Sequence, residues 1–524
     1  MSHINRRQFN KKLLKGVGGI ALATSGTLTK IDNVQAENSE KPNIVFICSD
    51  QHSYKYTGYM GHPIVKTPNM DRIASSGTVF TNTYCGNPVC VPSRSSMMTG
   101  MYASDCNSFC NSTVWDGSYP LWSKRLKDEG YYCMATGKMD LNDQFDTGFN
   151  EVETHHGHQR NPDITSLFRR PVGYRMKERD QVFGEARTER SGDFRKLEIG
   201  IDFILNKTQH LDQPWALYVG FIQPHPKFIA LEKYFNMYNP DDIDMPTIPS
   251  GHINDLHLVY QELRHFKRIA DPIEEKRIRK SRAAYYGMIS ELDEYIGMLY
   301  DSLKKTGQLQ NTIFIYTSDH GESLGEHGLW FKNNLYDVAA RVPLFISGPG
   351  IPKNRRIESP IGHVDLAASL LEWAGIQRPR NLRGQSLIPL LKGRSNGHPG
   401  FAFCETHSEG NCTGSFMIRK GDWKYIYFQW YDDLLFNIKN DPYELKNRIN
   451  DPLTNEIQEE MKEILNNRVN TEEVTMRAFR KQDSILKEWA NSMREDELHK
   501  RFLSRLGEGQ ARVMAKMVKD RFSA

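Results

Sequence analysis

Cysteine is scarce, with eight in 524 residues. No pair of CxxC elements is present, which excludes a structural zinc site of that type, and the spacing offers no dense disulfide scaffold. No uninterrupted apolar run approaches the roughly 20 residues of a membrane-spanning helix, so a mature chain without a transmembrane segment is expected. Internal repeats and low-complexity linkers are also missing. A lasting basic surplus is absent too. Residues 1–36 hold Arg6, Arg7, Lys11, Lys12, Lys15 and Lys30 against Asp32, so five net positive charges leave with them and the chain's +4 becomes −1. That balance excludes a general nucleic-acid-binding surface. What remains, 39% hydrophobic and 11% aromatic, can bury a large core in one big domain plus a smaller one.

Segment 1–36 runs from paired arginines and Phe9 through a short Gly- and Ala-rich apolar stretch to Val34-Gln35-Ala36. It resembles a twin-arginine export signal with an A-x-A-like cleavage site, which implies the twin-arginine export machinery as a partner and a periplasmic or secreted destination. Chains exported this way resemble one another in folding first, in a reducing cytosol. Cys48, Cys85, Cys90, Cys106, Cys110, Cys133, Cys404 and Cys412 are therefore expected to need no disulfide framework. Cys106 and Cys110 have the spacing to share a helix face as buried thiols.

The body of the chain reads as α/β. The apolar run IVFICSD suits a buried parallel strand, and further runs follow at YYCMATGK (131–138), WALYVGFIQPH (215–225), TIFIYTSDHG (312–321) and VPLFISGPG (342–350), with helical stretches between them. Their acids and histidines fall at carboxyl ends, where open α/β sheets gather ligands. Residues 282–307 form the clearest helix, with Gly307 as its stop. Near residue 395 the pattern shifts to a meander, SFMIRKGDWKYIYFQW and DDLLFNIKNDPYE, and beyond Pro452 to charged helices. The expected division is 1–36 signal, 37–395 catalytic domain, and 396–524 a smaller subdomain with an antiparallel sheet and a helical tail.

Within CGNPVCVPSRSSMMTG, Cys90 by itself is open to four readings: half a disulfide, a zinc ligand, a buried thiol, or the precursor of something more reactive. Pro92 fits the first turn of a following helix, which would put residue 90 at a helix amino terminus, a seat for anions. The run Cys90-Val91-Pro92-Ser93-Arg94 resembles the C-x-P-S-R signature of the type I sulfatases. PNIVFICSDQ, TPNMDRIASSGTVFTNTY, GKMD, IQPHPKF, TSDHGESLGEHGLWFKNNLYD, VPLFISGPG, HVDLAASLLEWAG and RGQSLIPLL resemble sulfatase segments in family order, as does the stretch from KGDWKYIYF to NDPYEL. The resemblance spans about 42–447. It implies an alkaline-phosphatase-like α/β/α sandwich with a large, mixed, mostly parallel sheet. It also implies a formylglycine made from Cys90 by a formylglycine-generating enzyme.

The chemistry accounts for these residue types. A thiol attacking sulfur has no easy way out, whereas an aldehyde hydrate offers one hydroxyl to attack and a second to expel sulfate, splitting one hard step into two. The resemblance assigns Asp50, Asp319, His320 and the modified Cys90 to a divalent cation, expected to be calcium, with magnesium and manganese as alternatives. Gln51 stands where many relatives carry a second acid, and His320 where some carry asparagine. Lys138 and Lys332 resemble the lysines that contact sulfate, Arg94 belongs to the signature, and His225 resembles the histidine that protonates the leaving oxygen, with Lys227 close by. The family's G-K-x-H is here Gly137-Lys138-Met139-Asp140, so a carboxylate replaces a histidine. Asp140 can accept a proton late in the cycle or orient Lys138. The expected function is a secreted sulfatase acting on a sulfated carbohydrate, an algal-type poly- or oligosaccharide such as ulvan. The insertion 155–195, rich in arginine, is a candidate saccharide contact. Two alternatives stand beside it: a phosphonate or phosphate ester hydrolase of the same superfamily, and a glycan-binding protein with unmodified Cys90.

Overall fold

A computed structural model describes residues 41–156, 167, 176–504 and 506–522. Segment 1–36, read as an export signal, and much of the insertion 155–195 lie outside the described residues. The central sheet has eight strands in the order Arg355–Ile357, Thr78–Phe80, Leu344–Ser347, Thr312–Ser318, Asn43–Ser49, Trp215–Gly220, Tyr132–Lys138 and Glu151–His156. Five of the seven neighbouring pairs are parallel, and Leu344–Ser347 runs antiparallel to both of its neighbours.

Strand Asn43–Ser49 is buried from Ile44 onward, which is why it reads as a continuous apolar run. Its side chains alternate between two cores. Ile44, Phe46 and Cys48 pack with Met97 and Met98 of helix Cys90–Thr99 and with Leu366 and Leu370 of helix Val364–Trp373. Val45 and Ile47 face Leu292, Ile296 and Leu299 of helix Glu275–Lys305. Helices on both faces make the α/β/α sandwich that the resemblance implies. Phe46 stacks between Trp122 and Tyr218, with centroids 5.7 and 5.9 Å away, and its truncation to alanine would cost about 3–5 kcal/mol.

Register positions the site. Ser49 pairs with Ser318, so Asp50 and Asp319 leave adjacent strands side by side. Gly137 pairs with Gly220 at φ +90°, and a Cβ there would lie 2.1 Å from the Gly220 carbonyl. Only glycine lets these strand ends close up and deliver Lys138.

A second sheet, antiparallel in the order Phe401–Thr406, Ser415–Lys420, Trp423–Phe428 and Leu434–Asn437, follows the large one. Helices Asn455–Arg468, Thr471–Ser492, Glu495–Leu503 and Glu508–Phe522 complete the chain. The second sheet shares a core with the first part of the chain, Ala402, Cys404 and Met417 packing with Tyr84, Leu335 and Tyr336. Cys106 and Cys110 do not share a helix face, because turns rather than a helix carry 101–112. All eight cysteines are buried, and none is bridged in a disulfide. Among the described residues no helix is long and apolar enough to cross a membrane.

Candidate active site

Cys90 opens helix Cys90–Thr99, with Val89 extended before it. Five positive-φ residues that are not glycine surround it: Gln51, Asp140, Phe331, Asn333 and Glu409. Such backbone persists where neighbours fix it, and it concentrates at functional sites.

Asp50, Cys90, Asp319 and His320 offer ligand atoms that all lie within 4.8 Å of one another, and all four are buried. His320 Nδ1–H donates to the Gly321 carbonyl at 3.0 Å, which leaves the Nε2 lone pair turned inward. That Nε2 is 3.3 Å from Cys90 Sγ and 3.6 Å from Oδ1 of both Asp50 and Asp319. The outer oxygens of the two acids are held by cations. Lys138 donates to Asp50 Oδ2, and Arg94 Nε donates to Asp319 Oδ2 at 2.9 Å. Gln51 donates from its amide nitrogen to Glu322, leaving its Oε1 buried with no hydrogen-bond partner. Two carboxylate oxygens, an imidazole lone pair and an orphaned amide oxygen make a donor set that fits a divalent cation.

The charges are arranged in opposition. Burial works against ionising Asp50, but Lys138 first, and Lys332 with it, hold its carboxyl well below the usual range. Burial likewise opposes the charge on Lys138, yet Asp140 and Asp50 hold it well above the ordinary lysine value. Lys332 is raised despite burial by Cys90 and Asp50, and its Nζ donates to Cys90 Sγ at 2.7 Å. It also donates to His225 Nε2 at 3.3 Å, while His225 Nδ1–H donates to the Pro226 carbonyl at 2.6 Å. Burial, reinforced by Lys332 and Lys138 and opposed by Asp50, pulls His225 down to about 4. At neutral pH the ready proton of this pair therefore sits on Lys332.

Arg94 is wholly buried. Its Nη1 donates to the Lys138 carbonyl and to the Tyr218 hydroxyl, both at 2.8 Å. It thus lies behind the ligand acids and sets their orientation. Asp140 Oδ2 is 3.2 Å from Lys138 Nζ and 3.6 Å from Arg94 Nε. In front of Cys90 lies a cavity of about 270 Å³, lined also by Gln51, His225, Lys227 and Lys332. Asn111, Glu178, Gln181, Lys267, Asn333 and Glu409 line it as well. Asn333 sits in the segment that carries Lys332, and Glu178 and Gln181 sit in the insertion 155–195, whereas Asn111, Lys267 and Glu409 are marked by no motif.

Residues 42–376 match the sulfatase family. The chain belongs to that family. It is a sulfuric ester hydrolase with an alkaline-phosphatase-like fold. Residues 325–471 match the N-sulphoglucosamine sulphohydrolase C-terminal family. Arylsulfatase K of Danio rerio is 31% identical, over 78% of this chain and 80% of that protein. Choline-sulfatase of Rhizobium meliloti (strain 1021) is also 31% identical, over 79% of this chain and 83% of that protein. The crystal structure of the phosphonate monoester hydrolase of Agrobacterium radiobacter superposes with a TM-score of 0.67 at 25% identity, covering 81% of this chain and 94% of that one.

Proposed function

We propose that this sulfatase hydrolyses sulfate esters of a carbohydrate through a formylglycine made from Cys90, beside a calcium ion held by Asp50, Gln51, Asp319 and His320. The observation that carries this reading is the convergence of His320, Asp50 and Lys332 on one sulfur at a helix amino terminus. When formed, formylglycine supplies a hydrated aldehyde, one hydroxyl to attack sulfur and another through which sulfate leaves. The ion, when bound, supplies positive charge to the sulfuryl oxygens.

The chain's own groups do the rest. Lys138 and Lys332 bring two ammonium groups to the sulfate, each anchored on Asp50 or beside Cys90. The Lys332–His225 pair carries one proton at neutral pH and faces the cavity, so it delivers that proton to the leaving oxygen. Arg94 and Asp140 hold Asp319 and Lys138 in place.

The cavity favours a hydroxyl-rich leaving group. Gln181 and acidic Glu178 line it, and among the described residues Phe331 is its one phenyl ring. A sugar finds hydrogen-bond partners there, whereas an aryl ring or a quaternary ammonium finds little aromatic surface. The test is a panel of sulfated mono- and oligosaccharides, including ulvan fragments, against nitrophenyl sulfate, choline sulfate and a phosphonate monoester. A sulfated saccharide should give the highest kcat/KM. A phosphonate monoester in first place would establish the second reading, which the Asp50-Gln51 and Asp319-His320 pairs and the Agrobacterium hydrolase favour. Reconstitution of stripped enzyme with calcium, magnesium or manganese separates the ions. Export by the twin-arginine route rests on segment 1–36, and Arg6→Lys with Arg7→Lys should then retain the protein in the cytoplasm.

A further inference from the structure

Glu409 reaches the site from the second sheet, in the loop between strands Phe401–Thr406 and Ser415–Lys420. Its side chain is wholly buried in the wall of the cavity, closed off from solvent. Each carboxylate oxygen accepts an amide: Oε1 from Asn111 Nδ2 at 2.8 Å and Oε2 from Asn333 Nδ2 at 2.9 Å. Both asparagines are engaged at their other ends. Asn111 Oδ1 accepts the Val91 N–H at 3.1 Å, in the first turn after Cys90. Asn333 Oδ1 accepts from Lys267 Nζ at 2.7 Å, and the same ammonium donates to the Lys332 carbonyl at 2.7 Å. Asn411, two residues beyond Glu409, donates to the Asn333 carbonyl at 2.8 Å. Glu409 and Asn333 both hold positive φ, 54° and 78°.

We propose that Glu409 is a positioning residue of the sulfatase reaction: through Asn111 and Asn333 it fixes residue 90 and the Lys332 ammonium relative to each other. The proposal rests on residue 90 as the nucleophile. A carboxylate only accepts, so it turns both asparagine NH₂ groups inward and both carbonyls outward, toward Val91 N–H and Lys267. A neutral amide in its place would set one NH₂ against another. The second sheet thereby reaches the nucleophile through two asparagines.

The test uses Glu409→Gln, Asn333→Asp and the double variant in full-length, ion-loaded enzyme. Each single change should lower kcat about 10- to 100-fold while KM moves less than about threefold, since a small displacement of Lys332 weakens the reacting geometry and not the binding of the sugar. In the double variant the glutamine donates to the new aspartate and accepts from Asn111, restoring the donor–acceptor order, so kcat should recover at least about tenfold. Rates are expressed per molecule bearing formylglycine, counted by mass spectrometry of the peptide containing residue 90. Wild-type enzyme that turns over as a plain thiol would sink the nucleophile reading, and that outcome is seen separately from the variants. Unchanged kcat in Glu409→Gln, a rise in KM alone, or a double variant no faster than the slower single would overturn the positioning role. Should Glu409→Gln fail to fold, the comparison of Asn333→Asp with the double variant still decides.

Discussion

Asp140→Asn removes one charge from the most crowded part of the site. Asparagine accepts the left-handed backbone that Asp140 holds at φ 55°, so the exchange adds no strain. The lost carboxylate sits 3.2 Å from Lys138 Nζ and 3.6 Å from Arg94 Nε, with Asp140 and Arg94 fully buried. Breaking a buried ion pair costs about 3–5 kcal/mol, and the low end, about 3 kcal/mol of stability, is expected because Asp50 still holds Lys138. For turnover, a displaced Lys138 ammonium should cost about 10- to 100-fold in kcat. Asp140 pairs with Lys138, which binds sulfate at the outset, and with Arg94, which orients Asp319, so both halves of the cycle should slow together. Rapid mixing with nitrophenyl sulfate should show no burst of alcohol in the variant or the wild type. A burst near one equivalent per site, in the variant alone, would refute this reasoning and make Asp140 the base of the second half.

Asp319→Asn should weaken ion binding and turnover together, because one carboxylate orients Arg94 and accepts from the Gln51 and His320 N–H groups; elemental analysis beside kcat checks it, and full activity in chelator-stripped enzyme would dismiss the ion. Stability should fall as pH drops below about 6.5. Burial pulls His52 to about 4 and His363 to about 3, so the unfolded chain binds protons there that the folded chain does not. The slope should be about 1.4 kcal/mol per pH unit for each histidine, measured by urea unfolding at pH 7, 6 and 5, and a flat profile would contradict it. Below about pH 4 the protonation of Asp50, held low by its lysines, should add to the loss.

The five long apolar runs were legible as strands because burial on both faces leaves a continuous hydrophobic signal, and three of them, IVFICSD, WALYVGFIQPH and TIFIYTSDHG, run out into an acid or histidine of the site. Thr78–Phe80 and Arg355–Ile357 were not, since three residues carry no periodicity. Strand Glu151–His156 spells EVETHH, with no apolar run to mark it. Helix Glu275–Lys305 begins seven residues before the apolar periodicity does, because its first turns are charged and exposed. Around Cys90, the structure brings together Asp50, Arg94, Lys138, Asp319, His320 and Lys332, all carried by motifs. Asn111, Lys267 and Glu409 did not announce themselves. Glu409 meets Asn111 across 298 residues and Asn333 across 76, and only the packing of the second sheet on the first part of the chain makes those contacts.

The central claim is that turnover belongs to an aldehyde at residue 90. Preparations made with graded amounts of a formylglycine-generating enzyme can be scored by mass spectrometry of the peptide containing residue 90 and assayed for sulfate release. Activity per mole of protein should rise in proportion to the aldehyde fraction and extrapolate to zero for the pure thiol, as it should for Cys90→Ala. Full activity in protein that retains the thiol would contradict the account.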